Sequence, residues 1–291
     1  EQTIYDTIRF YTMSVAEYLD EYFESDVIKA ALSGSGIIGT GLGPYSPGTA
    51  YVLLHHYMGE VDGSIGSWGF ARGGMGSIAK ALADAFRDHG GELLTDAEVS
   101  QIIVKGGRAK GVVLVNGDEH YAKNIVSNLD VKRTYQKLFD PKDLSEKVLK
   151  QVDAFKIRGS SGKLNIALDG MPEFPALGKD NPLIYSDMHF IDSTERIERA
   201  YDDWKNGRWS RDPYCDTLLP TMTDPTMAPP GKHYMSVFVQ YAPIKLSTGE
   251  WTDQDRDDFG SAVIDQLAEY SPNLKDLIVH AEVRSPQDIE N

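Results

Sequence analysis

The sequence predicts an α/β chain of the α+β kind, and three observations carry that reading. Met75, Ile78, Ala79, Leu82 and Phe86 recur at three- and four-residue steps and so share one face of a helix. Asn116-Gly117 lies between two short arms, residues 110–115 and 119–122, and is the preferred pair for a type I′ hairpin. Residues 233–241 alternate strictly, with Tyr234, Ser236, Phe238 and Gln240 against Met235, Val237, Val239 and Tyr241. That pattern marks a strand with two unlike faces.

In chain order, Ser14-Val15-Ala16-Glu17 reads as a capping box before a helix with Tyr18, Leu19, Tyr22 and Phe23 inward. Ser25 or Asp26 caps a second helix, expected to run through Leu32. Gly34, Gly36 and Gly39 then satisfy the Gly-x-Gly-x-x-Gly dinucleotide pattern. The pattern works only when a buried strand enters the loop and a helix leaves it. Here a helix enters, and Gly43, Pro44, Pro47 and Gly48 break the segment after the glycines, so a phosphate loop is rejected. Residues 49–58 read as a helix. Its His55-His56 pair points about 100° apart and is expected to give one packed and one partly exposed histidine, not one shared site.

Residues 59–69 connect to the helix that starts at Met75, and Gly90-Gly91 supply its left-handed cap. Strands are expected at 92–95 and 99–104, with Gly106-Gly107-Arg108 turning into the hairpin. Helices come next at 131–139 and 141–155, then strands at 162–168 and 182–190. Ser193 caps a helix with Ile197, Ala200, Tyr201 and Trp204 on one side. Strands at 214–220 and 233–241 flank a proline-rich turn at 224–231. Thr252 caps a long helix with Phe259, Val263, Leu267 and Tyr270 inward and Asp253 and Asp255 at its positive end. A strand at 277–283 and a helix starting at Ser285-Pro286 close the chain.

The chain has 291 residues and a formal net charge of −15, which argues against nucleic acid and anionic membrane surfaces. No apolar run approaches the ~20 residues of a membrane span. Cys215 is the single cysteine, so a reducing compartment is compatible, and the cytoplasm or an organelle matrix is the expected location. No Cys/His spacing suggests a metal. There is no Gly-x-x-x-x-Gly-Lys loop, no Gly-x-Ser-x-Gly elbow and no His-Glu-x-x-His. Asp202-Asp203 and Asp257-Asp258 read as solvated helix faces. A chain that opens on Glu1 is expected to be a piece of a longer one.

Separated stretches carry a resemblance that single motifs do not. They are Arg72-Gly73-Gly74-Met75-Gly76, Thr95-Asp96-Ala97-Glu98-Val99, Gly111-Val112-Val113-Leu114 and Val126-Ser127-Asn128. Outside the middle of the chain come Gly43-Pro44-Tyr45-Ser46-Pro47-Gly48, Tyr51-Val52-Leu53-Leu54-His55-His56 and Asp224-Pro225-Thr226-Met227-Ala228-Pro229-Pro230-Gly231. Together they make nearly the whole chain resemble the phytoene-desaturase-like, FAD-dependent oxidoreductases, in particular the pyridine nucleotide-disulfide oxidoreductase domain-containing protein 2 group.

The resemblance implies that residues 67–130 are the central segment of an FAD-binding domain. Residues 1–66 and 131–291 would then be two parts of a substrate domain, a mixed sheet with helices. It implies Val99 at the adenine through its backbone, Ser127 and Asn128 near the nucleotide, and Gly73, Gly74 and Met75 toward the flavin. Arg72 is a candidate polar contact beside them. Tyr45, Tyr51, Tyr57, Met235, Phe238 and Tyr241 would line a pocket for a small apolar organic substrate that gives hydride to flavin. The family's N-terminal pyrophosphate motif and its C-terminal glycine-rich stretch are absent from this sequence. FAD is therefore expected in a full-length parent and not to be retained by this chain, which is expected to be inactive alone. No catalytic residue stands out, because flavin performs the redox chemistry. The alternative is a non-catalytic binding or scaffold module that kept the substrate domain. Ile102, Val104, Val113 and Val126 are expected to be partly bare or covered by a second copy, which admits a homo-oligomer.

Overall fold

Caps and glycine turns delimit the elements of the computed structural model, which describes residues 2–178 and 181–290. Four helices come first: α1 (Gln2–Thr12), α2 (Val15–Asp20), α3 (Asp26–Ser35) and α4 (Thr49–Tyr57). The expected capping box opens α2: Ser14 Oγ accepts from Glu17 N–H at 3.1 Å, and Ser14 N–H donates to Glu17 Oε2 at 2.9 Å. The two-residue strands β1 (Glu60–Val61) and β2 (Ser64–Ile65) lead to α5 (Met75–Asp88), which ends as expected on Gly90 at φ +80°. Then come β3 (Val99–Lys105), β4 (Arg108–Leu114) and β5 (Glu119–Tyr121), a π-helical turn (Arg133–Leu138) and α6 (Glu146–Ala154). The rest runs β6 (Ser161–Leu168), β7 (Met188–His189), α7 (Thr194–Lys205), β8 (Tyr214–Leu218), α8 (Pro220–Thr223), β9 (His233–Gln240), α9 (Asp253–Tyr270), α10 (Leu274–Leu277), β10 (Ile278–Arg284) and α11 (Pro286–Glu290).

The α+β class holds, and every described strand pairing is antiparallel instead of mixed. Two compact units form. One comprises residues up to Ile78 and from Arg158 onward; the other comprises Ala79–Ile157. The first unit is built on a five-stranded sheet in the order β10-β6-β9-β8-β7. Alternation gives the sheet two faces. Leu164, Ile166 and Leu168 of β6 and Met235, Val237 and Val239 of β9 join Phe259, Val263 and Leu267 of α9 in one buried core. Each such side chain contributes roughly 1.5–3 kcal/mol relative to exposure. Two glycines let helix and sheet come this close. A Cβ on Gly162 would sit 2.7 Å from the Phe259 ring, and one on Gly260 would sit 2.5 Å from Val283 Cγ2.

The other face of the sheet is covered at one end by α3 and α7. There Ala30, Ile37, Ile197, Ala200, Tyr214 and Tyr241 form a second core. Polar ties reach from the N-terminal residues to the sheet. Gln240 Nε2 donates to the carbonyls of Ile37 and Thr40, both at 3.1 Å, and the Tyr241 hydroxyl donates to the Leu42 carbonyl at 2.7 Å. Met235 and Tyr241 are thus core residues and do not line an open pocket. Tyr45, Tyr51 and Tyr57 are exposed.

The second unit holds the three-stranded sheet β3-β4-β5. Residues beyond Asp130 belong with it: the π-helical turn packs on β3 and α6 packs on that turn. Three expectations give way here and in the first unit: the strand at 92–95, a bare Ile102 and the strand at 182–190. Residues 92–95 form no strand, because no other strand pairs with them. Ile102 is buried, whereas Val126 is bare as expected, at 90% exposed. Residues 182–190 form a 3-10 turn (Pro182–Tyr185), capped by Asn181 accepting from Leu183 N–H, and only then the short β7. The apolar face of α5 is not covered: no residue of that helix is buried, and Met75 and Leu82 are 76% and 68% exposed.

Candidate functional site

The face of the five-stranded sheet opposite the core carries half-buried polar groups across every strand. On β10, Glu282 Oε2 accepts from Asn165 Nδ2 of β6 at 2.8 Å. Asn165 Oδ1 accepts in turn from the Tyr234 hydroxyl of β9 at 2.6 Å. Lys163 Nζ of β6 donates to Ser236 Oγ of β9 at 2.6 Å. Asp216 of β8 and His189 of β7 are register partners, with Nε2 and Oδ2 3.8 Å apart. The register that buries Leu164, Ile166 and Val237 on one side necessarily brings these groups together on the other.

Their environment tunes them. Burial pushes the Lys163 ammonium down, with the negative charge of Asp216 opposing it. Burial pushes Asp216 up to about 6; the charge of Asp187 adds to the rise, and His189 and Lys163 oppose it. Asp187 is raised as well, chiefly by desolvation of its carboxylate, although the residue as a whole is exposed. A lysine lowered and a carboxylate raised toward neutrality can hold a polar group and take or give a proton near it. None of these residues stands out in the sequence. The signal is present in the polar positions Lys163 and Asn165 of β6 and Ser236 of β9, but only the cross-strand register turns them into a row.

The residues expected from the sequence fall into two groups. In the first unit, Gly73 and Gly74 adopt φ +84° and +77°, and Met75 begins α5. Gly73 N–H donates to Asp224 Oδ2 at 2.6 Å, and Gly74 N–H donates to the Ala71 carbonyl at 2.9 Å. Asp224 Oδ1 also accepts from Thr226 N–H at 3.0 Å and from its hydroxyl at 2.6 Å. These donors, Gly73 first, hold the Asp224 carboxyl below the usual carboxylate range. A Cβ on Gly74 would press on Met227 at 3.2 Å. Phe70, Arg72, Thr223, Asp224, Pro225 and Thr226 line an adjoining cleft of about 430 Å³. Both left-handed glycines therefore have a reason within the fold itself.

In the second unit, Val99 opens β3 opposite Leu114. Ser127 Oγ is 2.8 Å from Thr134 Oγ1 on the π-helical turn that packs against β3. Asn128 is exposed. Gly34 and Gly36 form no phosphate loop: Gly34 lies under the Tyr214 ring and Gly36 under Val15. Among the described residues, no helix is long and apolar enough to cross a membrane.

The chain matches the flavin containing amine oxidoreductase family over residues 12–288. It is 32% identical over 287 residues to pyridine nucleotide-disulfide oxidoreductase domain-containing protein 2 of Rattus norvegicus, covering 96% of this chain and 49% of that protein. It is 25% identical over 280 residues to the lycopene-forming phytoene desaturase of Pseudescherichia vulneris, covering 96% and 53%. The chain thus spans about half the length of these relatives. Its fold is similar to that of an oxidoreductase from Methanosarcina mazei, with TM-score 0.61 and 19% identity over 94% of this chain and 56% of that one. A putrescine oxidase shares the fold at TM-score 0.56 and 12% identity, over 94% and 54%. FAD is the cofactor of such proteins. By residues 12–288, this chain belongs to the flavin-containing amine oxidoreductase family.

Proposed function

We propose that this chain supplies the substrate-holding unit and the central cofactor segment of an FAD-dependent oxidoreductase. A largely apolar organic substrate with one polar group would give hydride to the flavin. The observation that carries this reading is the half-buried polar row, with Lys163 and Asp216 shifted toward neutrality on a sheet whose other face is core. Phe238 stands on the same face as Ser236, two residues away, and offers apolar area beside it. Residues 1–66 and 158–291 would serve the substrate and residues 67–130 the cofactor, with residues 131–157 packed in the second unit.

The residues present fit one side of a flavin nucleotide and not its pyrophosphate. The start of α5, exposed Met75 and the Arg72-lined cleft offer a helix N-terminus and a cation. In the whole protein, Val99, Ser127 and Asn128 would serve the nucleotide. Among the described residues no strand–glycine loop–helix unit is available for the phosphates, so the chain alone would be inactive. When bound, FAD accepts the hydride. The chain's own part is to orient the substrate, exclude water and hold a proton at Lys163.

The test uses the product of the complete reading frame that contains these residues. It is expected to purify yellow and to bleach anaerobically with its substrate. Lys163→Met and Asn165→Leu are expected to keep the flavin content and to lower turnover or raise KM at least about tenfold. A colourless full product, or unchanged kinetics in both variants, contradicts the proposal.

A further inference from the structure

At the β7–β8 end of the polar row, three donor groups converge. A carboxylate oxygen of Asp187, a ring nitrogen of His189 and a carboxylate oxygen of Asp216 all lie within 4.8 Å of one another. The backbone dictates the meeting. His189 and Asp216 are register partners, and Asp187 lies just ahead of β7, two residues before His189.

These groups are not spent on their neighbours. Neither carboxylate accepts a hydrogen bond from another described residue, and the Asp216 side chain is only 16% exposed. Its nearest partner, His189 Nε2 at 3.8 Å, is beyond hydrogen-bond distance. The nearby Lys163 ammonium is bonded to Ser236. Tyr214 stands two residues before Asp216 on the same strand face, fully buried, with its ring edge against His189 at 5.5 Å. Its hydroxyl meets no partner either. A carboxylate so enclosed, with no hydrogen-bond donor of its own, is costly.

The histidine is prepared for a ligand role. His189 Nδ1 lies 3.0 Å from the Ala31 carbonyl of α3, which can only accept, so the proton sits on Nδ1. In the neutral ring the lone pair is then on Nε2, the atom turned toward Asp216. A backbone carbonyl behind the far nitrogen is the support that metal-binding imidazoles use.

We propose that Asp187, His189 and Asp216 form a binding site for a first-row divalent metal ion of the Mn²⁺ or Zn²⁺ kind. One imidazole and two carboxylates suit such ions better than Ca²⁺ or soft Cu⁺. Ligand atoms at about 2.0–2.2 Å from a metal stand roughly 3–3.6 Å apart, so closure needs a shift of about 1 Å. Exposed Asp187, just ahead of the edge strand β7, is the group free to make it. Three protein ligands leave coordination positions open, and the site ties the sheet edge to α3 through the His189–Ala31 bond.

The test titrates the EDTA-stripped chain with Mn²⁺ and reads free Mn²⁺ by electron paramagnetic resonance. About 0.15 M salt suppresses loose binding to the acidic surface. A single saturable site is expected. Asp187→Asn and His189→Ala should each weaken it at least about tenfold, whereas Asp257→Asn on α9 should leave it unchanged. Asp187 is exposed, so its variant keeps the fold even if His189→Ala does not. Absence of saturable binding, equal affinity in wild type and Asp187→Asn, or an equal loss in Asp257→Asn overturns the proposal. The readout needs no flavin, so this site and the oxidoreductase reading stand or fall separately.

Discussion

Gly34→Ala separates the two meanings that Gly34, Gly36 and Gly39 can carry. In the structure Gly34 lies near the end of α3 beneath Tyr214. A Cβ there would stand 2.5 Å from Cζ and 2.7 Å from Cε2 of that ring, and closer still to its hydroxyl. Tyr214 is fully buried between α3 and α7 and cannot swing away. Overpacking of this kind costs about 1–3 kcal/mol, while alanine in place of glycine returns up to ~1 kcal/mol of helix propensity. The net expectation is a loss of about 1–2 kcal/mol, or roughly 3–6 °C in Tm for a unit of this size. Thermal melts monitored by circular dichroism measure it. In a Tyr214→Leu background the added methyl meets vacated space, so the penalty should shrink by about 1 kcal/mol, a coupling typical of touching residues. A phosphate loop would give a different result, with unchanged stability in both backgrounds. A Gly34→Ala chain as stable as wild type, or a penalty untouched by Tyr214→Leu, refutes the packing explanation.

The polar ties predict two further outcomes. Asp224→Ala leaves Gly73 N–H and Thr226 without their acceptor and should cost about 1–2 kcal/mol in urea denaturation, with faster amide exchange at Gly73. Asp288 is held below the usual carboxylate range, chiefly by Arg256 Nε and Nη2 at 2.8 and 2.7 Å, with Ser285 adding to it. A depressed carboxylate stabilises fully above its unfolded value near ~3.9 and loses that contribution as pH falls below it. The stability gap between wild type and Asp288→Asn should therefore be about 1–2 kcal/mol at neutral pH and close below about pH 3; a gap that widens in acid contradicts the pairing.

Local signals in the sequence reached local structure. The Thr252 cap forms as expected, with Asp255 N–H at 3.2 Å from Thr252 Oγ1, and the alternation of 233–241 sorts β9 into core and polar faces. Asn116-Gly117 does join β4 to β5. Information that lies outside a short window was not legible. Leu93 and Leu94 look like strand residues, yet a strand exists only where another pairs with it, and none does. The periodicity of Met75, Ile78, Leu82 and Phe86 gives a helix but not a covering surface. Helix α1 places Ile4, Ile8 and Tyr11 at helical spacing, yet it has no cap signal to mark its start and buries no residue. The polar row depends on β6 pairing with a strand about seventy residues later, where Asn165 meets Ser236. Lys163 and Asp216 are unremarkable in the sequence for that reason. The Asp187–His189–Asp216 group is likewise invisible to Cys/His spacing rules, because its third member arrives through register.

The most direct measurement is the absorption spectrum of this chain after gel filtration in the presence of excess FAD. Dinucleotide affinity comes largely from a pyrophosphate held at a glycine loop and helix N-terminus. Gly34 and Gly36 are taken by Tyr214 and Val15, and the N–H groups of Gly73 and Gly74 are already bonded within the chain. About two backbone hydrogen bonds at Val99, net roughly 0.5–1.5 kcal/mol each, do not offset an association cost of ~4 kcal/mol or more. The eluted chain should therefore show no flavin band near ~450 nm, a wavelength set by the cofactor itself. A stoichiometric band that survives the column would contradict the division of the cofactor site proposed here.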